Sequence, residues 1–236
     1  MTINTKLISC YNTGKEDVLT SKTLFDVISP IMAGPSSSHT AGAVRLGLMA
    51  KNIYSKPIKK VYFKLYNSFA QTGFGHGTQK GLFAGILGYS VDDKKIKNIF
   101  DTVKDIEYNF EYGEDLNRHP NSVDMVINDE MRISGNSVGA GEIKITEING
   151  FSVSIAGNYD TILIMYKDKP GMISTVSKII QAQNINIASL HCDRNEKGGT
   201  ASMYIALDQP AKKDITDQIS KIEDVYYTTQ IRKLKV

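Results

Sequence analysis

The chain has 236 residues, 41% hydrophobic and 22% charged, which gives room for two small domains with real cores. Its 28 Lys and Arg against 25 Asp and Glu leave a net +3, scattered rather than blocked, which argues against nucleic acid as a partner. Two distant cysteines, Cys10 and Cys192, make neither a disulfide framework nor the thiolate set of an iron–sulfur cluster.

The opening, residues 1–21, lacks periodicity and reads as a flexible arm; it has no basic-then-apolar leader,. No later window is apolar over the length a bilayer demands, so a cytoplasmic protein with no membrane partner is expected. Thr23–Ile28 begins an ordered element that Pro30 stops,. Gly34–Thr40 is a turn opening a helix, with Ser and Thr as caps and Ala41, Val44 and Leu48 at helical spacing up to Pro57,. Val61–Tyr66 is a strand by its β-formers,. Gly73–Thr78 reads as a second turn, followed by a helix carrying Leu82, Phe83, Ile86 and Leu87 and ending at Gly88,. Asp92 is placed to cap a helix with Ile96, Ile99 and Val103. Short strands follow around Tyr108, Met125 and Ile133, then over Ile143–Ile148 and Phe151–Ile155, with turns at Asn128-Asp129, Gly139–Gly141 and Asn149-Gly150,.

Composition resets at Ala156–Tyr159, a linker, so one domain is expected over 22–156 and another over 160–236. The second runs strand (Thr161–Tyr166), helix (Met172, Val176, Ile179, Ile180), strand (Ile185–Cys192), hairpin (Gly198-Gly199), strand (Thr200–Leu207), helix (Ile215, Ile219, Ile222) and strand (Val225–Ile231). That order, βαββαβ, is the ferredoxin-like pattern, and the whole chain is α+β.

At Pro35–Thr40 several hydroxyls and N–H groups converge on a helix N-terminus, which favours an anion such as a carboxylate. His39 beside that positive end tends toward a lowered pKa, and a neutral imidazole accepts a proton. Taken alone, the same residues also suit a plain cap with a surface histidine. His76 stands between Gly75 and Gly77, where small neighbours expose the ring. The glycines there are not spaced Gly-x-Gly-x-x-Gly, and no Gly-x-Ser-x-Gly elbow accompanies Ser38-His39,. No two histidines lie at i, i+4, and no cysteine pair joins them, so no metal ligands are assigned on this chain. His191, on a strand of the second domain, reads as structural.

Three segments carry a specific resemblance. Leu24–Ala43, with Gly34-Pro35-Ser36-Ser37-Ser38-His39-Thr40, resembles the opening of L-serine dehydratase β chains. Phe69–Gly85, with Thr72-Gly73 and Gly75-His76-Gly77-Thr78, is similar to that family's second signature, and His119-Pro120-Asn121 falls where it carries a third. Asp168-Lys169-Pro170-Gly171-Met172 and Asn184–Ile187 resemble an ACT domain.

The resemblance implies a lyase that turns L-serine into pyruvate and ammonia. A 4Fe-4S cluster would lie on a separate α subunit, which carries the cysteines this chain lacks, in a heterodimer with its active site between the chains. Carried over by residue, His39 and His76 are the catalytic candidates, with the choice of general base left open. Ser36, Ser37, Ser38, Thr40, Asn67, Ser68, His119 and Asn121 are the substrate-binding candidates. Gly171, Met172, Asn186 and Ile187 would bind an ACT ligand such as L-serine, and ACT domains would pair chains. The first domain is also similar to the allosteric substrate-binding domain of some phosphoglycerate dehydrogenases. The rival reading is therefore a non-catalytic amino-acid-sensing module that controls another enzyme.

Overall fold

The computed structural model describes residues 32–103, 105–212 and 214–234. The expected arm over 1–21 and the element expected at Thr23–Ile28 with its stop at Pro30 lie outside them.

A π-helical turn, Ser37–Ala41, leads into helix α1 (Gly42–Tyr54). The helix is buried on most of its circumference, from Ala43 and Val44 through Leu46, Met49 and Ala50 to Ile53 and Tyr54, because it has neighbours on three sides. Strand β1 (Lys60–Asn67) follows, then helices α2 (Ser68–His76) and α3 (Thr78–Leu87). After a 3₁₀ turn (Lys94–Asn98) and a short helix α4 (Ile99–Thr102) come strands β2 (Glu107–Gly113), β3 (Asn121–Ile127), β4 (Met131–Gly139), β5 (Glu142–Ile148) and β6 (Phe151–Ile155). They form a six-stranded sheet ordered β2-β1-β3-β4-β5-β6, with only β2 parallel to its neighbour. Val61, Phe63 and Leu65 alternate with half-buried residues along β1, and with Val123, Met125 and Ile133 they form part of the core beneath α1 and α3,. The hairpin turns expected at Asn128-Asp129 and Asn149-Gly150 are present, all four residues at positive φ, as tight two-residue hairpins require.

Two expectations need correction. Gly73–Thr78 is not a turn: α2 runs through Gly73 and Gly75 to His76, and only Gly77, at φ 77°, breaks the chain. Packing overrides the low helix propensity of glycine here; a Cβ on Gly73 would sit 3.1 Å from the Thr78 side chain. The helix expected from Asp92 is capped instead by Asp93, whose carboxylate accepts the Lys95 N–H at 2.8 Å. It splits into the 3₁₀ turn and α4, leaving Val103 extended.

Strand β7 (Asp160–Lys167), helix α5 (Met172–Ala182), strands β8 (Ile187–Arg194) and β9 (Thr200–Leu207), helix α6 (Asp214–Ser220) and strand β10 (Val225–Ile231) complete the chain in the βαββαβ order. Their antiparallel sheet is ordered β10-β7-β9-β8. One face, with Ile162, Ile164, Met203 and Ile205, packs on Val176 and Ile180 of α5 and Ile215 and Ile219 of α6. The other face is also covered: Leu163, Met165, Tyr204, Ile231 and Leu234 belong to the core of the first sheet. The Tyr227 hydroxyl donates to the Ile53 carbonyl at the end of α1. Helix α1 thus lies between the two sheets, and β7 is buried on both faces, as its unbroken apolar run suits.

The contact that sets the site is between α1 and α3. A Cβ on Gly47 would lie 2.2 Å from the Leu82 carbonyl, and one on Gly85 would lie 2.1 Å from the Val44 carbonyl. Only glycine permits the two backbones to touch. We predict that Gly47→Ala costs at least about 2 kcal/mol in urea unfolding, since overpacking forces the helices apart. Gly75→Ala, with open space around its Cβ, should leave stability unchanged or raise it by up to about 1 kcal/mol.

Candidate active site

The α1–α3 contact brings the N-terminal ends of both helices together. Ser36 is extended, and its Oγ accepts the His39 N–H at 3.1 Å. The Ser36 carbonyl takes N–H groups from both Thr40 (2.8 Å) and Ala41 (3.3 Å), which widens the turn into the π geometry often found at functional sites. Ser137 on β4 braces it from below, its hydroxyl donating to the Ser38 carbonyl at 2.9 Å.

This turn points His39 inward, 9% exposed. Its Nδ1 lies 3.0 Å from Thr78 Oγ1, and its Nε2 lies 3.4 Å from Ser68 Oγ. The Phe69 ring meets it edge-on at 5.2 Å, and the His76 ring lies 5.3 Å away. Burial, and secondarily the neighbouring His76, hold its pKa below 6.5, so the ring is neutral at pH 7. Thr40 is itself buried, and its hydroxyl donates to the His76 carbonyl at 2.8 Å, fixing the end of α2. The His76 side chain is exposed. The result is one buried imidazole between two hydroxyls, beside a second imidazole open to the outside.

The third segment joins from the strand side. His119 Nδ1 accepts the Asn121 N–H at 3.1 Å, so the proton of the neutral ring resides on Nε2, leaving that nitrogen a donor. Burial lowers the pKa of His119. The Phe69 N–H bonds the Pro120 carbonyl at 3.3 Å, tying this segment to α2. Asn67 ends β1 and spends its amide on the same loop: Nδ2 donates to the carbonyls of Asp115 (2.8 Å) and Arg118 (3.3 Å), and Oδ1 accepts the Asp115 N–H (2.9 Å). Asn121 Oδ1 is buried without a partner. Asp124 grips the loop from beyond, its buried carboxylate accepting from Arg118 (2.8 and 3.2 Å), Arg132 (2.7 Å), Ser134 (2.7 Å) and Tyr66 (3.0 Å).

The structure thus gathers His39, Thr40, Ser68 and His76 around one place, with the His119–Asn121 loop tied to it through the Phe69 N–H. Ser36 and Thr40 use their hydroxyls within the framework, whereas Ser37 and Ser38 lie half-buried at the first turn. Thr78, the partner of His39, and Ser137, the brace, were not singled out from sequence. Thr78 does stand in the Gly75–Thr78 signature, but nothing local connects it with a histidine 39 positions earlier.

On the second sheet, a cavity of about 460 Å³ is lined by Tyr166, Asp168–Met172, Ile173 and Ser174. Gly171, at φ 93°, has open space where a Cβ would be, while the Met172 side chain is core. Asn186 and Ile187 do not line this cavity; the Asn186 amide donates to Asp208 at 2.6 Å, and Ile187 is half-buried in β8. Among the described residues no three His, Cys, Asp or Glu side chains come together as metal ligands. Cys192 is exposed on edge strand β8, and Cys10 lies outside the described residues. These donors do not fit an iron–sulfur cluster, which needs three or more thiolates at one place.

A two-sheet α+β chain with a histidine–hydroxyl centre beside its first helix, backed by a ferredoxin-like unit, defines a catalytic or sensing half joined to an ACT module. Comparison with known proteins resolves this further. The serine dehydratase beta chain family matches residues 23–147, and the ACT domain of the acetohydroxyacid synthase small-subunit type (AHAS small subunit-like) matches 162–227. The chain is 35% identical over 215 residues to a probable L-serine dehydratase beta chain of Bacillus subtilis, covering 89% of this chain and 98% of that one. It is 37% identical over 214 residues to the L-serine dehydratase beta chain of Peptoniphilus asaccharolyticus, covering 87% and 96%. A D-3-phosphoglycerate dehydrogenase of Bacillus subtilis matches more narrowly, 32% over 82 residues, or 35% of this chain and 16% of that one. The chain belongs to the serine dehydratase beta chain family.

Burial alone would raise the Asp124 pKa, but the hydrogen bonds and charge of Arg118, with Ser134 and Tyr66, outweigh it and hold the carboxyl below its ordinary value. Its stabilising effect is therefore whole above the unfolded-state pKa of about 4 and fades as pH falls through the folded value. We predict that Asp124→Asn lowers unfolding free energy by about 2 kcal/mol at pH 7. In urea melts repeated down to pH 2.5, the gap from wild type should narrow.

Proposed function

We propose that this chain is the β half of an L-serine dehydratase whose active site closes against an α chain carrying a 4Fe-4S cluster. The observation that carries the reading is His39, buried and neutral between Thr78 and Ser68, with His76 beside it and open to the surface. The reaction breaks the Cα–H and Cβ–OH bonds of L-serine, releasing water and leaving 2-aminoacrylate. That product tautomerises to an imine, and water then splits the imine into pyruvate and ammonia.

The His39–His76 pair accepts the Cα proton. Removing that proton requires an imidazole that is unprotonated at neutral pH, and burial secures this for His39,. Ser37 and Ser38, at the positive end of the turn leading into α1, bind the substrate carboxylate. The Nε2–H of His119 and the unpartnered Oδ1 of Asn121 supply a donor and an acceptor for the substrate's polar head. The cluster, on the α chain, would supply Lewis-acid help to the departing hydroxide.

An exposed apolar rim favours a partner at this place. Phe74, on α2 two residues before His76, is 93% exposed, and Leu116, on the loop held by Asn67, is 91% exposed. Phe74 and Tyr112 line one groove of about 410 Å³ with Phe100 and Tyr108. Large exposed aromatics beside a half-open site suit a protein interface. Residues 22–156 form the catalytic half, and 160–236 form an ACT domain. That domain takes a small amino acid such as L-serine at the Gly171 turn, with Asn186 and Ile187 contributed by a second copy paired along β8. No helix among the described residues is long and apolar enough to cross a membrane.

Three experiments test this reading. The purified chain should be colourless and inactive alone, and mixing with the anaerobically prepared α chain should restore serine-dependent pyruvate release. His39→Ala should still assemble but lose about 10²–10⁴-fold in kcat; an undiminished kcat removes His39 from the chemistry. Phe74→Asp should weaken α-chain association at least about tenfold with an unchanged melting temperature; wild-type affinity would place the partner elsewhere.

A further inference from the structure

Asn67 was expected to face the substrate, and its surroundings indicate a different task. Its backbone lies at φ 51°, ψ −122°, a region that suits glycine and costs other residues about 1–3 kcal/mol. Such a conformation persists only where the surroundings over-determine it. Glycine would adopt it freely, whereas asparagine holds it at a cost that its side-chain hydrogen bonds offset.

Both N–H bonds of the Asn67 amide go to the carbonyls of Asp115 and Arg118, and its oxygen takes the Asp115 N–H. That leaves no donor for a ligand. The sharp turn swings the chain from β1 into α2. The next residue, Ser68, then presents its hydroxyl 3.4 Å from His39 Nε2, and Phe69 lays its ring against His39 while its N–H bonds Pro120. Asn67 is paired with Asn121 across β1 and β3, so the elbow sits directly beside the segment that carries His119. Arg118 is gripped independently on its other side by Asp124.

We propose that Asn67 is a positioning residue. It is a strained pin that joins the Ser68–His39 side of the site to the His119 loop, holding both in register without touching substrate. The proposal rests on the serine dehydratase reading for its catalytic consequence, but not for the clamp itself.

The test uses Asn67→Gly, which keeps the backbone conformation and removes the clamp, and Asn67→Asp, which keeps the shape but cannot donate to two carbonyls. In the full chain, imidazole ¹⁵N spectra should show His119 as a single tautomer, protonated at Nε2. Both variants should average the two nitrogen signals as the loop is released. In the enzyme assembled with its α chain, both should lower kcat by about 10²-fold while KM moves by no more than about threefold, the mark of misplaced groups rather than lost binding. A raised KM with unchanged kcat would make Asn67 a substrate ligand and overturn the proposal. So would a His119 spectrum that Asn67→Gly leaves intact. If wild-type enzyme releases no pyruvate, the dehydratase reading falls, and the His119 spectrum alone then decides the clamp.

Discussion

The candidate site depends on two helices whose backbones touch. Gly47 of α1 and Gly85 of α3 each stand where a methyl group would collide with the other helix's carbonyl. Gly81 adds a third point, where a Cβ would lie 2.8 Å from the Thr40 carbonyl. This contact draws the first turn of α1 and the first turn of α3 together, so that His39 and Thr78 reach hydrogen-bond distance. A wider crossing, of the 8–10 Å that ordinary side chains impose, would separate them. The same helix α1 also carries the second sheet on its flank, with Tyr227 bonded to the Ile53 carbonyl. The turn that carries His39 and the ACT module are therefore built onto opposite ends of one element.

The chemistry follows from what burial does to an imidazole. Desolvation disfavours the charged ring, and a second imidazole 5.3 Å away adds to the effect,. Among the described residues His39 gains no carboxylate neighbour to offset this; its two ring nitrogens face hydroxyls, which are content with either tautomer,. His119 differs. A backbone N–H fixes its tautomer, so it presents a donor and not a base at Nε2. The immediate surroundings thus fix one tautomer for His119 and leave both open to His39.

Much of the fold was legible in the sequence, and the failures have physical causes. The hairpins at Asn128-Asp129 and Asn149-Gly150 were readable because those residues tolerate positive φ, and the βαββαβ order because its apolar periods alternate clearly between strand and helix. Gly73–Thr78 was misread because glycines signal turns by propensity, whereas here Gly73 packs against Thr78, Gly75 lies within the helix, and only Gly77 makes the break. Asp92 was favoured over Asp93 as a cap because both are good caps and the choice is set by one backbone bond. In the site, His39, His76 and His119 stood out through their motifs. The Thr78–His39 contact did not, since it spans 39 positions and exists only through the α1–α3 crossing. The altered task of Asn67 was equally hidden, because residue identity does not disclose the sign of a single φ angle.

The central claim is that the fold keeps His39 as a neutral, buried imidazole ready to take a proton. The most direct measurement is an NMR pH titration of the His39 ring in the full-length chain, repeated with His76→Ala. The account predicts a midpoint below 6.5 in the wild type, moving upward when the neighbouring imidazole is removed. A midpoint at or above 6.5, or one indifferent to His76, would contradict it.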